Sequence, residues 1–176
     1  MDGALQDLDA KIRNIPDFPN PGIVFLDLTT LFNDAEALKM IIDALADKYK
    51  DKKIDQVVGI EARGFILGGA VALKLGCGLT LIRKPGKLPA ETVSESYSLE
   101  YGTNEIHIHK DAFNEGDNVL MVDDLLATGG TMQAAIKLVE KLGAKVEGVA
   151  FVAELLFLNG REKLNSHPIF SLVTRS

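Results

Sequence analysis

The sequence has no tryptophan and a single cysteine, Cys77, among its 176 residues. One cysteine excludes an internal disulfide, and the three histidines do not stand at metal-site spacing from it. Cys77 lies between two glycines in an apolar stretch, so we expect a small buried residue rather than a nucleophile. No apolar run approaches the roughly 20 residues of a membrane span, and the N-terminus lacks the pattern of a signal peptide. We therefore expect a cytoplasmic protein.

An excess of basic residues is also missing, because the formal net charge is −6. This balance argues against a general binder of nucleic acids or anionic membranes, which would need a basic face. It leaves room for a local basic pocket that binds an anionic small molecule. We find no internal repeat and no linker, and the length suits one domain spanning residues 1–176.

Short apolar runs alternate with amphipathic segments, which predicts strands that alternate with helices. The most regular amphipathic segment covers residues 34–50, and we expect Asn33 and Glu36 to cap its start. Further helices are predicted over 4–14, over the segment that ends at Gly76, and over 129–142. Strands are predicted over 55–60, 79–84, 118–124, 145–155 and 170–175, and a hairpin is predicted to turn near residues 102–104.

This alternation predicts an α/β fold with a mainly parallel sheet flanked by helices on both faces. Polar clusters follow three of the predicted strands: "EARG" at 61–64, "RKPGK" at 83–87 and "DDLLATGGT" at 123–131. Ligands of such sheets bind outside the carboxyl ends of the strands. We therefore expect the three clusters to face one crevice.

The third cluster combines an acidic pair, Asp123 and Asp124, with a turn of small residues at 127–131. Backbone amides of a glycine-rich turn, together with the start of the following helix, can hold a phosphate without a cation. Carboxylates accept hydrogen bonds from vicinal ribose hydroxyls, so the pair and the turn together suggest a ribose 5-phosphate site. Adjacent carboxylates also attract Mg²⁺. The alternative is an ordinary strand-end turn with exposed aspartates.

The stretch "VDDLLATGGT" resembles the signature of the phosphoribosyltransferases: a hydrophobic strand, an acidic pair and a Thr-Gly-Gly-Thr loop. Over residues 15–175 the chain resembles the members of that family that act on adenine. The resemblance also includes "FPNPGIVFLDLT", "EARGF", "LIRKPGKLP", "SYSLEYGTNEIHIHKDA" and "GREKL", in the family's order. It implies the type I phosphoribosyltransferase fold, with a small hood from about residues 1–33 and a flexible catalytic loop at about 85–101.

The resemblance implies transfer of the 5-phosphoribosyl group from 5-phosphoribosyl 1-pyrophosphate to adenine, which gives AMP and pyrophosphate in purine salvage. It further implies Mg²⁺ carried by the substrate near Asp123 and Asp124, and a homodimer. The residues it assigns to the ribose 5-phosphate are Asp123, Asp124, Ala127, Thr128, Gly129, Gly130 and Thr131.

The resemblance assigns the pyrophosphate to Arg63, Arg83, Lys84, Lys87 and Tyr101. It makes Arg63 and Glu100 the catalytic candidates, with Glu100 handling a proton near adenine N7. Taken without the resemblance, Arg63 reads as a surface ion pair and Glu100 as an exposed hairpin carboxylate.

For adenine itself, the resemblance implies a sandwich formed by Val24 and Phe25, with Leu155 closing the opposite side. Leu155 is equally acceptable as a core leucine. Leu26 departs from the family, since many relatives carry arginine there. Two other functions stay open: transfer to hypoxanthine, guanine or xanthine, and a non-catalytic regulator that senses the same substrate. The absence of a nucleic-acid-binding element argues against the regulator.

Overall fold

A computed structural model of the chain describes residues 2–18, 20–98 and 103–176. Its centre is a five-stranded sheet in the order β4-β3-β7-β8-β9, in which every neighbouring pair is parallel. Two antiparallel pairs, β1-β2 and β5-β6, stand apart from it. The strands are β1 (Arg13–Pro16), β2 (Val24–Asp27), β3 (Gln56–Ile60), β4 (Gly78–Ile82), β5 (Thr92–Ser98), β6 (Thr103–His109), β7 (Asn118–Leu126), β8 (Lys145–Leu155) and β9 (Ile169–Arg175).

Helices cover both faces of the sheet, so each central strand is buried on two sides. Leu120 and Val122 of β7 pack into a cluster with one set of helices, whereas Val119 and Met121 pack into a second cluster on the other face. This alternation follows from the two-residue period of a strand. The helices are α1 (Asp2–Lys11), α2 (Thr29–Asn33), α3 (Ala35–Tyr49), α4 (Arg63–Leu75) and α5 (Gly130–Lys141), with 3₁₀ turns at Leu156–Leu158 and Gly160–Leu164.

The expected parallel α/β sheet is confirmed, and α4 ends as predicted at Gly76, whose φ of 71° suits glycine. The predicted cap of α3 is wrong by one residue. Asp34, not Asn33, caps the helix, and its Oδ1 accepts hydrogen bonds from the amides of Glu36 and Ala37, each at 3.0 Å. Asn33 instead ends α2, a short helix that the sequence did not indicate.

Two smaller expectations also need correction. The predicted helix over 4–14 ends at Lys11, and the next residues form strand β1, because they pair with β2. Cys77 is only partly buried, although it packs against the core, and its partial burial raises the pKa of the thiol. The thiol is therefore a poor nucleophile, as expected.

The predicted hairpin is confirmed as β5-β6, but the turn was expected too late in the chain, because Thr103 and Asn104 already belong to β6. Residues 99–102 lie outside the described residues, and with them Glu100 and Tyr101. Residues 92–98 of the expected loop belong to strand β5. Backbone hydrogen bonds between Arg83 and His107 join the hairpin to the end of β4. No helix in the described part of the chain is long and apolar enough to cross a bilayer.

Candidate active site

The loops that follow β3, β4 and β7 meet at the carboxyl edge of the sheet. Arg63, the first residue of α4, donates a hydrogen bond from Nε to the carboxylate of Asp124 on β7. Glu61, just after β3, accepts from Arg83 Nε at 3.2 Å and from the backbone amide of Lys84 at 3.1 Å. The crevice expected from strand order therefore exists, and its three walls are linked by charged contacts.

The two carboxylates of the acidic pair, Asp123 and Asp124, lie close together in a largely buried environment. Asp124 is only 4% exposed and pairs with Arg63. Burial raises the pKa of Asp123 well above its usual range, and the negative charge of Asp124 raises it further. Asp123 Oδ1 also accepts a hydrogen bond from the amide of Asp124 at 2.9 Å. One cation thus serves two carboxylates.

Arg63 stays firmly protonated in this setting. Partial burial alone would lower the pKa of its guanidinium, but the hydrogen bond to Asp124 raises it, and the charges of Asp124, Asp123 and Asp27 add to the rise. The alternative interpretation of Arg63 as a surface ion pair fits only in part, because its side chain is 42% exposed while the side chain of its partner Asp124 is buried.

Residues 127–131, which we call the phosphate turn, comprise the connection from β7 and the first two residues of α5. This turn borders a small cavity of about 90 Å³, which is about three times the share of one water in the liquid. Gly129 has a φ of 76°, a left-handed conformation that suits glycine, and α5 begins at the next residue. The start of α5 therefore faces a cavity with room for one small anionic group. Its lining includes Asp123, Ala127, Thr128, Gly129, Gly130 and Thr131.

Residues 83–87 form the basic loop, and its first three residues, Arg83, Lys84 and Pro85, border a second cavity of about 310 Å³. Arg83 is largely committed to structure, since it also donates to the carbonyl oxygen of Lys87 at 3.1 Å. Lys84 and Lys87 are exposed. The amide of Lys84, and then Arg83, lower the pKa of Glu61, so this carboxylate remains ionised. Thr131 lines both cavities, which makes them neighbours.

The antiparallel β1-β2 pair lies within residues 1–33, the segment in which a hood is expected. Phe25 of β2 meets Phe18 edge to face, with ring centroids 5.2 Å apart, and Val24 is 55% exposed. Arg13 pairs with Asp27, whose pKa falls to about 2, mainly because the Thr29 hydroxyl and Arg13 donate hydrogen bonds to it. Leu26 is buried in the core, so the residue that replaces arginine serves packing. Leu155 is partly buried at the end of β8.

Sequence reasoning missed two residues of this region. Glu61 fixes the basic loop through Arg83 and Lys84, although only its neighbour Arg63 had been singled out. Gly160 lies against the phosphate turn: a Cβ built on it would stand 2.2 Å from the carbonyl oxygen of Ala127. Its position in "GREKL" was a possible signal, but the contact spans about thirty residues of chain and is invisible to local patterns.

A parallel sheet whose carboxyl edge carries an acidic pair, a glycine-rich turn and a basic loop is the arrangement of a phosphoribosyltransferase. Residues 29–172 match the family model described as "Phosphoribosyl transferase domain", and the chain belongs to that family. The expectation of a type I fold is confirmed by this match and by the sheet.

Within this family, the similar proteins and structures described next are adenine phosphoribosyltransferases. The chain is 57% identical over 168 residues to adenine phosphoribosyltransferase of Chloroflexus aurantiacus, covering 96% of this chain and 97% of the relative. It superposes on the crystal structure of adenine phosphoribosyltransferase from Thermoanaerobacter pseudethanolicus with a TM-score of 0.94 and 50% identity, over 97% and 99% of the two chains. The enzyme from Saccharomyces cerevisiae, solved with an imino-altritol bisphosphate and adenine, gives 0.92 and 42%, over 98% and 99%.

Proposed function

We propose that this chain is an enzyme that transfers the 5-phosphoribosyl group from 5-phosphoribosyl 1-pyrophosphate to adenine, with AMP and pyrophosphate as products. The observation that carries the proposal is the junction of an acidic pair, an anion-sized cavity at a helix start and a basic loop at one sheet edge. The choice of adenine is supported by the relatives, which are adenine phosphoribosyltransferases at 57% and 50% identity.

At the ribose end, the phosphate turn holds the 5-phosphate through the backbone amides of Gly129 and Gly130 and the hydroxyls of Thr128 and Thr131. The start of α5 adds its partial positive charge. Asp123 and Asp124 accept hydrogen bonds from the two ribose hydroxyls. Ala127 completes the wall of the 90 Å³ cavity. In the described part of the chain, Arg63 and the amide of Asp124 donate to these carboxylates, and a ribose would bring two further hydroxyl donors.

At the other end, cleavage of the bond from C1′ to pyrophosphate builds positive charge on the ribose and negative charge on the leaving group. Lys84 and Lys87 are exposed cations that stabilise the departing pyrophosphate. Arg63 lies between the two ends and offers the guanidinium edge that Asp124 leaves free. Arg83 contributes mainly by shaping the basic loop, because its donors are engaged by Glu61 and Lys87.

Mg²⁺ fits this site as a substrate-borne ion. Across residues 2–18, 20–98 and 103–176, no group of three acidic, histidine or cysteine side chains is assembled that would hold a metal alone. Mg²⁺ commonly takes one or two protein carboxylates and completes its shell with phosphate oxygens and water. Asp123 and Asp124 supply that number. When bound, the ion would neutralise charge on the pyrophosphate.

The adenine ring is sandwiched in the hood against Val24 and Phe25, with Leu155 on the far side. The exposure of Val24 and the packed edge of Phe25 provide an apolar surface of the required kind. Glu100 and Tyr101 lie outside the described residues. We retain Glu100 as the proton-handling residue near adenine N7 and Tyr101 as a contact of the closed site.

We further propose that the chain works as a homodimer in the cytoplasm. Ile66, Leu73 and Leu79 expose large apolar surface on α4 and the edge strand β4, which a second copy would cover. The cytoplasm is the compartment of the proposed substrate, because a multiply charged phosphate ester does not cross membranes unaided.

The decisive experiment is a scan of purine bases. Purified protein with 5-phosphoribosyl 1-pyrophosphate and Mg²⁺ should form AMP and pyrophosphate from adenine, with kcat/KM for adenine far above that for hypoxanthine, guanine or xanthine. A higher kcat/KM for an oxopurine would overturn the choice of adenine. Tight binding of the phosphoribosyl substrate with no product from any base would favour the regulator instead.

A further inference from the structure

The 3₁₀ turn Gly160–Leu164 lies against the phosphate turn with almost no space between the two backbones. A Cβ on Gly160 would stand 2.2 Å from Ala127 O and 3.1 Å from Gly129 N, and a Cβ on Gly129 would stand 2.6 Å from Gly160 O. Real Cβ atoms do not approach other atoms as closely as 2.2 or 2.6 Å, so both positions need glycine. The conformation of the phosphate turn is therefore set partly by where Gly160 stands.

The same 3₁₀ turn also holds the first turn of α5. Gln133 Nε2 donates to the carbonyl oxygen of Lys163 at 3.2 Å. Leu164 is fully buried in the cluster that contains Met132 and Leu126. The Gly160–Leu164 turn, which we call the brace, thus contacts both parts of the anion site: the backbone that precedes α5 and the first turn of α5.

The brace is in turn fixed by a buried carboxylate. Arg161 follows Gly160 and forks onto Glu154 of β8, with Nε–Oε1 at 2.6 Å and Nη2–Oε2 at 2.7 Å. Glu154 is 2% exposed, and Ser171 of β9 donates to Oε2 at 2.7 Å. Glu154 also pairs in register with Leu126, the last residue of β7. A bidentate pair anchored in the central sheet has one geometry, unlike a surface contact of a flexible lysine.

We propose that Arg161 and Glu154 are positioning residues for the ribose 5-phosphate, acting through Gly160 on the phosphate turn. The pair touches no substrate. Its function is to hold the backbone amides of residues 127–131 in the arrangement that binds the phosphate, so that little ordering is needed when the ligand arrives. This inference rests on the proposed function for the identity of the ligand, but the brace itself is a feature of the fold.

The test compares Arg161→Met with the wild-type protein, using ribose 5-phosphate as the probe in calorimetry and 5-phosphoribosyl 1-pyrophosphate and adenine in steady-state assays. We expect the Kd for ribose 5-phosphate and the KM for the phosphoribosyl substrate to rise roughly ten- to hundredfold, as expected for a misplaced site. The KM for adenine and kcat should change less than about twofold. Arg161→Lys keeps the charge but loses the bidentate contact. Its Kd for ribose 5-phosphate should lie between the values of wild type and Arg161→Met.

Asp55→Ala is the matched control for stability. Asp55 accepts from the amide and side chain of Asn118 at 2.9 and 3.1 Å, at the opposite edge of the same sheet. The Asp55→Ala variant should have a lower Tm than wild type but the same Kd for ribose 5-phosphate. If Arg161→Met fails to fold, Arg161→Lys carries the same comparison.

Unchanged affinity for ribose 5-phosphate in both Arg161 variants, or an equal loss in Asp55→Ala, would overturn the inference. Failure of the proposed function looks different: wild-type protein would bind ribose 5-phosphate yet release no AMP. The effect of Arg161 on that binding would still decide the role of the brace.

Discussion

At the scale of single residues, the acidic pair and Arg63 form a site that is incomplete on its own. Two carboxylates share one guanidinium, and burial together with mutual repulsion raises the pKa of Asp123. Each carboxylate can accept several hydrogen bonds, but the described contacts of the pair are few. A ligand that brings two neighbouring hydroxyl donors removes this deficit, which is why the arrangement favours a ribose over another anion.

Asp123→Asn should separate stability from function. The raised pKa means that the folded state holds this proton more tightly than the unfolded chain does. The stabilising contribution is therefore complete below pH about 4 and is lost as pH rises through the raised pKa. Asparagine keeps an oxygen for the Asp124 amide without this loss. In thermal unfolding of ligand-free protein, the variant should exceed wild type in Tm at neutral pH, and the advantage should shrink towards pH 4.

The same variant should lose roughly ten- to hundredfold in kcat/KM for the phosphoribosyl substrate, since a charge-assisted hydrogen bond to the ribose becomes a neutral one. Asp123→Ala is the companion variant, because it also removes the acceptor for the Asp124 amide and should not gain stability. A Tm advantage of Asp123→Asn that stays constant from pH 4 to 8 would contradict the raised pKa.

Arg63→Met should destabilise the ligand-free protein by about 1–3 kcal/mol, because it leaves the buried charge of Asp124 without its partner. Adding Asp124→Asn should recover part of that loss, since the unpaired charge at position 124 is then removed. Denaturant unfolding of the two single variants and the double variant measures this coupling. Strict additivity would mean that the contact contributes nothing to the fold. Activity should stay low in all three.

At the scale of elements, the helix start at α3 offers a direct check of the corrected cap. Asp34→Ala should cost about 1 kcal/mol, because the amides of Glu36 and Ala37 lose their acceptor. Asn33→Ala, at the position that the sequence favoured, should change stability by less than about 0.5 kcal/mol. Urea unfolding of both variants measures the two losses in the free energy of unfolding. A larger loss in Asn33→Ala than in Asp34→Ala would mean that Asn33 is the cap.

The cap illustrates which features the sequence could predict. The apolar periodicity of α3 and the runs of β3, β7 and β8 are local signals, and they gave the helices, the strands and the parallel sheet. The loop clusters could be placed together because parallel strands share one carboxyl edge. Helix α2 and strand β1 are four or five residues long, too short for periodicity to show, and their boundaries depend on tertiary packing.

The candidate site divides in the same way. The acidic pair, the phosphate turn and the basic loop are contiguous in sequence, so their residue types alone suggested the ligand. Glu61 contacts Arg83, 22 residues further along the chain, and Gly160 contacts Ala127, about 30 residues earlier. The residues next to Glu61 and Gly160 in sequence do not indicate these contacts. The pKa of Asp123 likewise depends on burial, which only the folded chain establishes.

At the scale of the whole molecule, the most exposed large apolar side chain that the structure describes is Leu73, at 84%. It lies on α4 with Ile66, which is 51% exposed, and Leu79 of the edge strand β4 is 40% exposed and packs beside α4. Charged residues would be expected on a solvated helix face of this kind. The apolar face instead supports the proposed homodimer.

Leu73→Glu should therefore weaken self-association, because a charge placed in an apolar interface between copies would lose its hydration without gaining a partner. Asn165→Glu is the matched control: it adds the same charge at an exposed position outside α4 and β4. Sedimentation velocity over a range of protein concentrations should show wild type and Asn165→Glu as dimers, with Leu73→Glu shifted to monomers at a Tm close to wild type. A wild-type monomer at all concentrations would contradict the homodimer, and a Leu73→Glu dimer would place the interface elsewhere on the molecule.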